Sequence, residues 1–461
     1  MKRFAAILPG ILLLALAVRP QSKPVAPSKS SSKKTTAKNN KKTTAKKTTT
    51  TKRRRPAAPV VTAKARQAAT DSLEAHLERA ALVPIENAAA LIPFFEQLHR
   101  HQNGLATSPL RILHYGDSHI ASDDFPGTLR ALLQQKFGDG GPGYTLAGRP
   151  WRGYRRLDTR SSSSRGWKSE GVGRNQGDGL NGLGGVSLLA TREGEWISLD
   201  AECDRMELFY WQQPGGGTLQ LFDNGVAVDL IPTGGPEGPG FAEYEAGPGF
   251  HRFELKTIDR APVRVFGWVT EKSRGVTWET LGINGAQASI ILDWDEQLLA
   301  SHILRRDPAL IVLAYGTNEA SNKTWTQDNY REMFASLLRR LRQDAPTASI
   351  LVIGPPDRYY RSRGRWLPFE RLDRIVEAER EAARAENCAF LDLRDKMGGK
   401  GSMRDWVLTG FAQYDHVHFT TAGYRKLAGL LYNDLLAQFN LFSQLRGKIT
   451  DTADGQTRAN P

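Results

Sequence analysis

The spacing of apolar side chains changes period twice along the chain. Residues 64–103 carry leucine, isoleucine, phenylalanine and alanine at helical intervals, which predicts two helices ahead of an apolar strand at 110–114. From about 146 to 275 that period disappears, and short runs of alternating polarity predict strands instead. From residue 280 onward, strand and helix patterns alternate. We therefore expect an all-β segment inserted into an α/β domain.

The α/β part predicts a parallel sheet covered by helices on both faces, because strand–helix alternation returns each strand in the same direction. The strands and helices expected after the β segment lie at 290–304, 309–314, 330–341, 349–353, 370–385, 389–393 and 422–439. The strands expected within the β segment lie at 186–191, 196–201, 206–211, 218–222, 226–231, 250–256 and 263–269. Asp223-Asn224-Gly225 predicts a hairpin between two of them, and short strands with such turns predict a jelly-roll-like β-sandwich.

These changes divide the chain into successive parts. They are a signal peptide at 1–17, a disordered basic linker at 18–62, N-terminal helices at 63–104, the first part of the α/β domain at 105–145, the inserted β module at 146–276, the second part of the α/β domain at 277–443 and a disordered tail at 444–461. Lys2 and Arg3 precede an apolar run that Pro9 interrupts and that is short for a membrane span, and Ala15-Leu16-Ala17 offers a cleavage site. The alternative is an uncleaved anchor. No later run approaches transmembrane length.

The charge of the chain is concentrated in the linker. Thirteen lysines and arginines lie between residues 23 and 55, within a formal net charge of +14. Without them and the three basic residues before them, 47 basic residues face 49 acidic ones. The high pI is therefore no evidence for nucleic-acid binding. A basic arm on an exported protein is suited to anionic envelope polymers or membrane surfaces, and the alternative is a solvated spacer.

Cysteines and metal-binding patterns add little chemistry. Cys203 and Cys388 lie in different predicted domains, so we expect two separate buried thiols rather than a disulfide. Their separation excludes a zinc ribbon, and no metal site is expected because no third cluster joins the ligands of Asp415-His-Val-His418. The glycine-rich 138–143 segment lacks the following lysine of a phosphate loop.

Three motifs follow or accompany the predicted strands. Gly116-Asp-Ser118-His comes directly after the first strand, where a serine on a strand-to-helix turn can stand clear of the backbone. Gly316-Thr-Asn318-Glu follows the strand at 309–314, and Asp415-His-Val-His418 precedes the last helix. A serine needs a neighbouring base to become a nucleophile, and a histidine next to a carboxylate can supply one.

In motif order and in the strand before each motif, the chain resembles the SGNH, or GDSL-like, serine hydrolases over about 105–145 and 277–440. The family's Gly-Asp-Ser-Leu is Gly-Asp-Ser-His here. With a long insertion before the second motif block, the chain is similar to the subgroup of peptidoglycan O-acetyl esterases. The resemblance implies an SGNH-type three-layer α/β/α fold, interrupted by the β module.

The same resemblance implies the roles of individual residues. Ser118 would be the nucleophile, His418 its base and Asp415 the carboxylate that orients the histidine, with His416 as a competing base. The oxyanion hole would comprise the backbone N–H groups of Ser118 and Gly285 and the side-chain amide of Asn318.

Two further assignments concern the glycine of the oxyanion hole and the residues on either side of Ser118. Gly282 competes with Gly285 for the position in the oxyanion hole. Asp117 and His119, which flank the serine, are expected to be turn and cap residues.

The inserted module begins and ends beside the predicted site, at the carboxyl ends of the strands. It is rich in aromatic residues, and Trp151 and Trp211 are candidate glycan contacts by stacking on sugar rings. The alternative is that these side chains form the core of the module and that its role is structural.

Together these features predict an exported serine esterase, in the periplasm or cell envelope, that removes O-acetyl groups from a glycan such as peptidoglycan. Acyl-serine chemistry needs no cofactor. The alternatives are a glycan O-acetyltransferase with the same triad, an esterase for other acetylated polysaccharides or lipids, and a non-enzymatic glycan-binding wall protein.

Overall fold

The computed structural model describes residues 61–80, 84–171 and 177–457. The expected signal peptide and nearly all of the basic linker lie outside these ranges. The α-helices are α1 Ala63–Ala80, α2 Ile92–Gln102, α3 Ser118–Ala121, α4 Asp124–Phe137, α5 Glu296–Arg306, α6 Gln327–Asp344, α7 Leu372–Ala385, α8 Leu393–Lys396, α9 Met403–Leu408 and α10 Thr421–Thr457. None of the helices in the described part of the chain is long and apolar enough to cross a membrane.

The strands lie in the α/β parts of the chain and in the inserted β segment. They are β1 Leu110–Gly116, β2 Gly143–Leu146, β3 Arg160–Ser163, β4 Lys168–Glu170, β5 Ser187–Ala190, β6 Trp196–Gln212, β7 Thr218–Asp223, β8 Val226–Pro232, β9 Gly238–Thr257, β10 Val263–Glu271, β11 Val276–Gly282, β12 Leu310–Ala314, β13 Ser349–Ile353, β14 Tyr359–Ser362, β15 Arg365–Pro368 and β16 Ala389–Leu391. The hairpin of β14 and β15 was not expected from the sequence.

The parallel sheet has the strand order β11-β1-β12-β13-β16. Alternate side chains of β12 enter two different cores: Leu310 and Val312 pack with α2, α4 and α10, whereas Ile311 and Leu313 pack with α5, α6 and α7. Helices thus cover both faces, which explains why the strands are nearly continuous runs of apolar residues. The three-layer α/β/α prediction is confirmed.

The register of this sheet aligns the ends of three strands. Gly116 at the end of β1 lies opposite Gly282 of β11 on one side and Ala314 of β12 on the other. Because parallel strands present their carboxyl ends at the same edge, the loops that follow these three strands meet there. Those loops carry Ser118, Gly285 and Asn318.

The insertion is an all-β module, as predicted. Its described strands form one nine-stranded sheet, in the order β4-β5-β10-β6-β9-β7-β8 with β2 on β10 and β3 on β6, rather than two separate sheets. The runs expected at 196–201 and 206–211 are a single strand, β6, that pairs with β9 along its whole length. A bulge between Cys203 and Arg205 replaces the turn that the break in alternation suggested. Since β2 also pairs with β10, the module begins at Gly143, slightly before the expected boundary at 146.

Buried charges join the module to the hydrolase domain. Glu271 at the end of β10 is completely buried and accepts hydrogen bonds from Arg306 of α5 and Arg111 of β1, at 2.5 and 2.8 Å. Burial opposes ionisation of this carboxyl, but the two guanidinium groups outweigh it and lower its pKa. Breaking such a buried pair costs about 3–5 kcal/mol, so the module has a fixed orientation at this joint.

The C-terminal segment differs from the prediction of a disordered tail at 444–461. Helix α10 continues to Thr457, and only residues 458–461 lie outside the described chain. Arg446 forms a two-pronged ion pair with Glu96 of α2, at 2.8 and 2.9 Å, and Phe442 packs against Phe95. These contacts come from a helix far away in sequence, so the local sequence did not indicate them.

Both cysteines are buried free thiols, as expected. Burial raises the pKa of Cys203 to about 12 and that of Cys388 to about 11, so neither thiol ionises near neutral pH.

Candidate active site

Ser118 is placed on the predicted turn between a strand and a helix. It follows β1 directly and is the first residue of the short helix α3, whose N-cap is Asp117. Gly116 is required at the turn, because a Cβ there would lie 2.3 Å from Ile120 and 2.7 Å from the Ala314 carbonyl oxygen. The close approach of the turn to β12 therefore sets the position of the serine hydroxyl.

The structure brings Ser118, His418 and Asp415 together in one chain of hydrogen bonds. Ser118 Oγ lies 2.9 Å from His418 Nε2, and His418 Nδ1 lies 2.8 Å from Asp415 Oδ2. The other carboxylate oxygen, Asp415 Oδ1, accepts the backbone N–H groups of Val417 and His418 at 2.9 and 3.0 Å. The carboxylate is thus fixed to the loop on one side and to the imidazole on the other.

The electrostatics of this chain favour a basic histidine. The hydrogen bond that His418 donates to Asp415 raises the pKa of His418 above its usual value, although burial opposes this. Burial also opposes ionisation of Asp415, but hydrogen bonds from His418 outweigh it and lower the pKa of Asp415 to about 2. Asp415 is therefore ionised throughout the pH range in which His418 titrates.

His416, the competing base, does not face the serine. Its ring stacks on Trp366, with 4.2 Å between ring centroids, and its backbone has a left-handed φ of 58°. Burial lowers the pKa of His416. The two histidines of the motif therefore have different positions: His418 contacts Ser118, and His416 supports the loop that carries Asp415.

Gly282, the last residue of β11, and Gly285, in the loop that follows, have different environments. A Cβ at Gly282 would lie 2.2 Å from the Ala121 backbone nitrogen, so this glycine is required by packing against α3. Gly285 is exposed, has a φ of 75°, and has open space where a Cβ would stand. Within the described residues neither the Gly285 N–H nor the Ser118 N–H has an acceptor. Gly285 is thus the glycine whose N–H is available at the site.

Asn318 lies at the same edge, with its amide already bonded. Its Nδ2 donates to the Ala286 carbonyl oxygen at 2.9 Å and to Asp117 Oδ2 at 3.3 Å. The bond to Ala286 ties the loop containing Gly285 to the loop containing Asn318. The longer bond, to Asp117, is the weaker of the two.

Two buried carboxyl groups hold these loops, and only Asp117 was singled out from the sequence. Glu319 is completely buried and accepts the N–H groups of Ala288 and Gly316, at 2.7 and 3.0 Å. Burial raises the pKa of Glu319 to about 7 and that of Asp117 to about 6. Glu319 directly follows Asn318 in the motif, but sequence alone offered no sign that its partners lie in two separate loops.

His119, the departure from the common family motif, is a packing residue. It is buried, its Nδ1 lies 2.9 Å from the Tyr424 hydroxyl, and its ring centroid is 5.4 Å from that of His418. Burial lowers its pKa to about 3, so it is neutral beside the His418 imidazole. Asp117 accepts the His119 N–H at 2.9 Å and so acts as the expected cap.

The candidate glycan contacts do not stand free on the module. Trp151 and Trp211 are both half-buried and pack against the core shared by the module and the hydrolase domain. The indole N–H of Trp151 is itself buried, and its ring packs edge-on against Tyr154. The structure therefore favours a packing role for both tryptophans over the expected stacking on sugar rings. Their spacing in the sequence could not separate these two roles.

Arg358 is a further residue beside the site that the sequence analysis missed. Its guanidinium donates to the Thr317 carbonyl oxygen and to Ser321 Oγ, and it lies over the ring of Phe369 at 4.6 Å. Burial lowers the pKa of Arg358, whereas Asp117 and Asp415 raise it through their charges. Arg358 precedes the β14–β15 hairpin, which the hydrophobic periodicity of the sequence did not predict.

Part of the chain matches a known protein family. Residues 256–426 match the model of the GDSL-like Lipase/Acylhydrolase family. The matched range contains Gly285, Asn318, Asp415 and His418, whereas Ser118 lies before the inserted module. No curated protein matches the sequence.

The fold also resembles solved structures. A structure titled "Peptidoglycan O-acetylesterase in action, 5 min" is 27% identical, with a TM-score of 0.66, over 76% of this chain and 96% of that one. A family two carbohydrate esterase from Cellvibrio japonicus is 11% identical, with a TM-score of 0.25, over 61% of this chain and 98% of that one. One from Clostridium thermocellum is 12% identical, with a TM-score of 0.26, over 56% and 95%.

The fold, the family match and the likeness to the O-acetylesterase define the class. Residues 256–426 form a GDSL-like acylhydrolase domain, and the protein is an ester hydrolase.

Proposed function

We propose that this protein is an exported esterase that removes O-acetyl groups from peptidoglycan. The observation that carries the proposal is the Ser118–His418–Asp415 hydrogen-bond chain. It occurs in a chain that shares 27% sequence identity with a peptidoglycan O-acetylesterase, and the similarity covers 96% of that protein. The similarity covers 76% of this chain, which is more than the hydrolase domain alone accounts for, and this supports a related substrate.

In the first step, His418 Nε2 takes the proton of Ser118 while Oγ attacks the acetyl carbonyl carbon. Ionised Asp415 stabilises the imidazolium that forms and keeps Nδ1 protonated. The C–O bond to the sugar then breaks, and His418 returns the proton to the departing sugar oxygen. The products are acetyl-Ser118 and the free hydroxyl of the glycan.

The oxyanion of the tetrahedral intermediate needs donors that are already in place. The N–H groups of Ser118 and Gly285 have no acceptor within the described residues and can bind it directly. The Asn318 amide can add a third bond by exchanging its 3.3 Å contact with Asp117 for the oxyanion.

In the second step, water attacks the acetyl carbonyl and gives its proton to His418. The C–O bond to Ser118 breaks, the proton passes from His418 to Oγ, and acetic acid leaves and ionises to acetate in solution. The reaction consumes one water per acetyl group, and the side chains return to their initial protonation states.

Export and retention on the envelope rest on the N-terminal 58 residues. The charged start, apolar run and cleavage site at 1–17 fit a signal peptide. The thirteen basic residues at 23–55 would then hold the enzyme near anionic envelope polymers.

The test is release of acetate from purified O-acetylated peptidoglycan, with acetylated xylan and a chromogenic acetate for comparison. Ser118→Ala should lower turnover about 10⁴–10⁶-fold without unfolding the protein. Ser122→Ala is a matched control, because Ser122 lies just after α3 and its hydroxyl bonds only to local backbone groups. If the wild-type enzyme releases acetate from xylan but not from peptidoglycan, the substrate is wrong. If Ser118→Ala keeps a tenth of the activity, the serine mechanism is wrong.

A further inference from the structure

The β14–β15 hairpin is the one element at the site that the catalytic chemistry leaves without a role. Residues 359–362 and 365–368 pair antiparallel, and Arg363 and Gly364 form the two-residue turn. Both turn residues have positive φ, 47° and 80°, as the turn that matches the twist of a hairpin requires. A residue other than glycine has a strained backbone at such a position, and Arg363 is one.

The hairpin is attached to the catalytic loop. The Tyr359 N–H donates to the His416 carbonyl oxygen at 3.0 Å, and Trp366 stacks on the His416 ring at 4.2 Å with 29° between the planes. His416 directly follows Asp415. The hairpin and the carboxylate of the catalytic chain are therefore held by the same short loop.

The base of the hairpin also contacts the loop that carries Asn318. Arg358 directly precedes β14 and donates to the carbonyl oxygen of Thr317, the residue before Asn318. The Phe369 N–H, just after β15, donates to the Arg358 carbonyl oxygen at 3.1 Å. The hairpin thus projects from the rim of the site with both strands fixed at their base.

The outer part of the hairpin carries positive charge without counter-charge. Arg361, Arg363 and Arg365 are all exposed, and no acidic group in the described chain pairs with any of them. Two other exposed arginines are paired: Arg305 and Arg339 each contact two glutamates. Three uncompensated charges on one short arm make a local positive field at the edge of the site.

Exposed aromatic rings lie beside these charges. Trp366 lies opposite Arg361 in the register, so the two side chains share a face of the hairpin. Trp366, Tyr360 and nearby Tyr414 are 36, 40 and 57% exposed. One face of Trp366 covers His416, and the exposed part of the ring is open to a ligand. Aromatic faces stack on sugar rings, and arginine forks bind carboxylates.

We infer that the hairpin at 359–368 is a binding arm for a glycan strand that carries carboxylate groups. Trp366 would stack on a sugar next to the acetylated one, and the three arginines would bind carboxylates borne by the same strand. The inference rests on the proposed function and adds to it, since peptidoglycan bears carboxylates on its peptides whereas acetylated neutral polysaccharides do not.

The test compares two forms of one soluble substrate: O-acetylated peptidoglycan fragments with free carboxylates, and the same fragments with those carboxylates converted to amides. The full-length triple variant Arg361→Gln, Arg363→Gln, Arg365→Gln removes the charges and keeps polar side chains. The matched control is Arg192→Gln, Arg260→Gln, Arg274→Gln, three exposed arginines of the module region that also form no ion pair within the described residues. The basic N-terminal segment is present in every protein.

For wild type we expect a KM about tenfold lower on the free carboxylates than on the amides, with similar kcat, because each exposed charge pair contributes a few-fold. The hairpin triple variant should lose this preference, and the control triple variant should keep it. The preference should also fall as salt rises, because exposed charges are screened.

Trp366→Ala tests the stacking separately. It should raise KM about several-fold on both forms of the fragment and leave KM for a chromogenic acetate unchanged, because stacking does not depend on the carboxylates. A loss of kcat alone, on all substrates, would show that Trp366 only supports His416.

Two results would overturn the inference: equal KM on both substrate forms for wild type, or an unchanged preference in the hairpin triple variant. Failure of the proposed function has a different signature. The wild-type enzyme would then release no acetate from either peptidoglycan form and would act on another acetylated substrate.

Discussion

Replacement of Asp415 by asparagine tests the hydrogen-bond chain most directly. In the wild-type protein the two carboxylate oxygens of Asp415 have different hydrogen-bond partners. Oδ1 accepts hydrogen bonds from two backbone N–H groups, and Oδ2 accepts one from His418 Nδ1–H. Asparagine has a single acceptor oxygen. If this oxygen serves the two backbone groups, its NH₂ faces Nδ1 and forces the proton of the imidazole onto Nε2. His418 Nε2 then cannot accept the proton of Ser118.

The magnitude follows from this choice. When the amide oxygen faces the two backbone N–H groups, two of the original hydrogen bonds are kept; when it faces His418, only one is kept. This difference is about 1 kcal/mol, so the wrong tautomer is favoured about fivefold. The remaining molecules also lack the negative charge that stabilises the imidazolium. We expect kcat to fall about 10³–10⁴-fold, as for other triads in which the carboxylate becomes an amide.

The pH profile gives a second, independent signature. The hydrogen bond that His418 donates to Asp415 raises the pKa of His418, and a protonated His418 cannot act as a base. Wild-type kcat/KM should therefore fall on acidification through that raised pKa. Without the carboxylate, burial lowers the pKa of His418, so the acid limb of the variant should move to lower pH while the plateau drops.

The assay is hydrolysis of a chromogenic acetate from about pH 4.5 to 9, with thermal melting as the control. Asp415 has 46% of its side chain exposed, so water can replace part of the lost bonding and Tm should change little. Asp415→Ala should retain more activity than Asp415→Asn, because alanine cannot impose the wrong tautomer. A variant with kcat within tenfold of wild type and an unmoved acid limb would refute the assigned role.

Asn318→Ala should lower kcat about 10²–10³-fold with little change in KM, because the amide binds mainly the oxyanion; a rise in KM with constant kcat would contradict this. Gly282→Ala should lower Tm, because its Cβ would lie 2.2 Å from a backbone nitrogen, at a cost of about 1–3 kcal/mol. Gly285→Ala should cost only about 1 kcal/mol of left-handed strain and should lower kcat; the opposite ranking of the two melts would exchange their roles. Deleting residues 22–58 should leave kcat on a soluble ester unchanged and weaken retention on anionic envelope material at low salt, and equal retention would show that the segment is a spacer.

Local pattern was sufficient for most of the α/β domain. The runs around β12 and β13 are apolar at every position except Ser349 because helices cover both faces of the sheet, so their bounds were predicted within a residue. The pattern was less informative in the module. A single bulge at Cys203 and a turn between two strands interrupt alternation in the same way, so β6 was expected as two strands.

The C-terminal helix was underestimated for a related reason. Beyond residue 443 the sequence has no strong helical period. The contacts that hold the described part of this segment, such as Arg446 with Glu96, involve a residue 350 positions away. Stabilisation of this kind has no local signature.

The sequence by itself determined the chemistry that the site can hold. Ser118, Asn318 and the Asp415–His418 pair were recognisable because each motif follows a strand or precedes a helix in a fixed order, and local geometry then limits where its side chain can point. Tertiary structure decided which of two similar residues is used. His418 rather than His416 contacts the serine, and Gly285 rather than Gly282 exposes its N–H, because packing against Trp366 and Ala121 occupies the others. Tertiary structure also packed the half-buried Trp151 and Trp211 against a core and placed an arginine-bearing hairpin at the rim of the site. Burial and proximity between distant segments depend on how the elements pack, and no local pattern of residues contains that information.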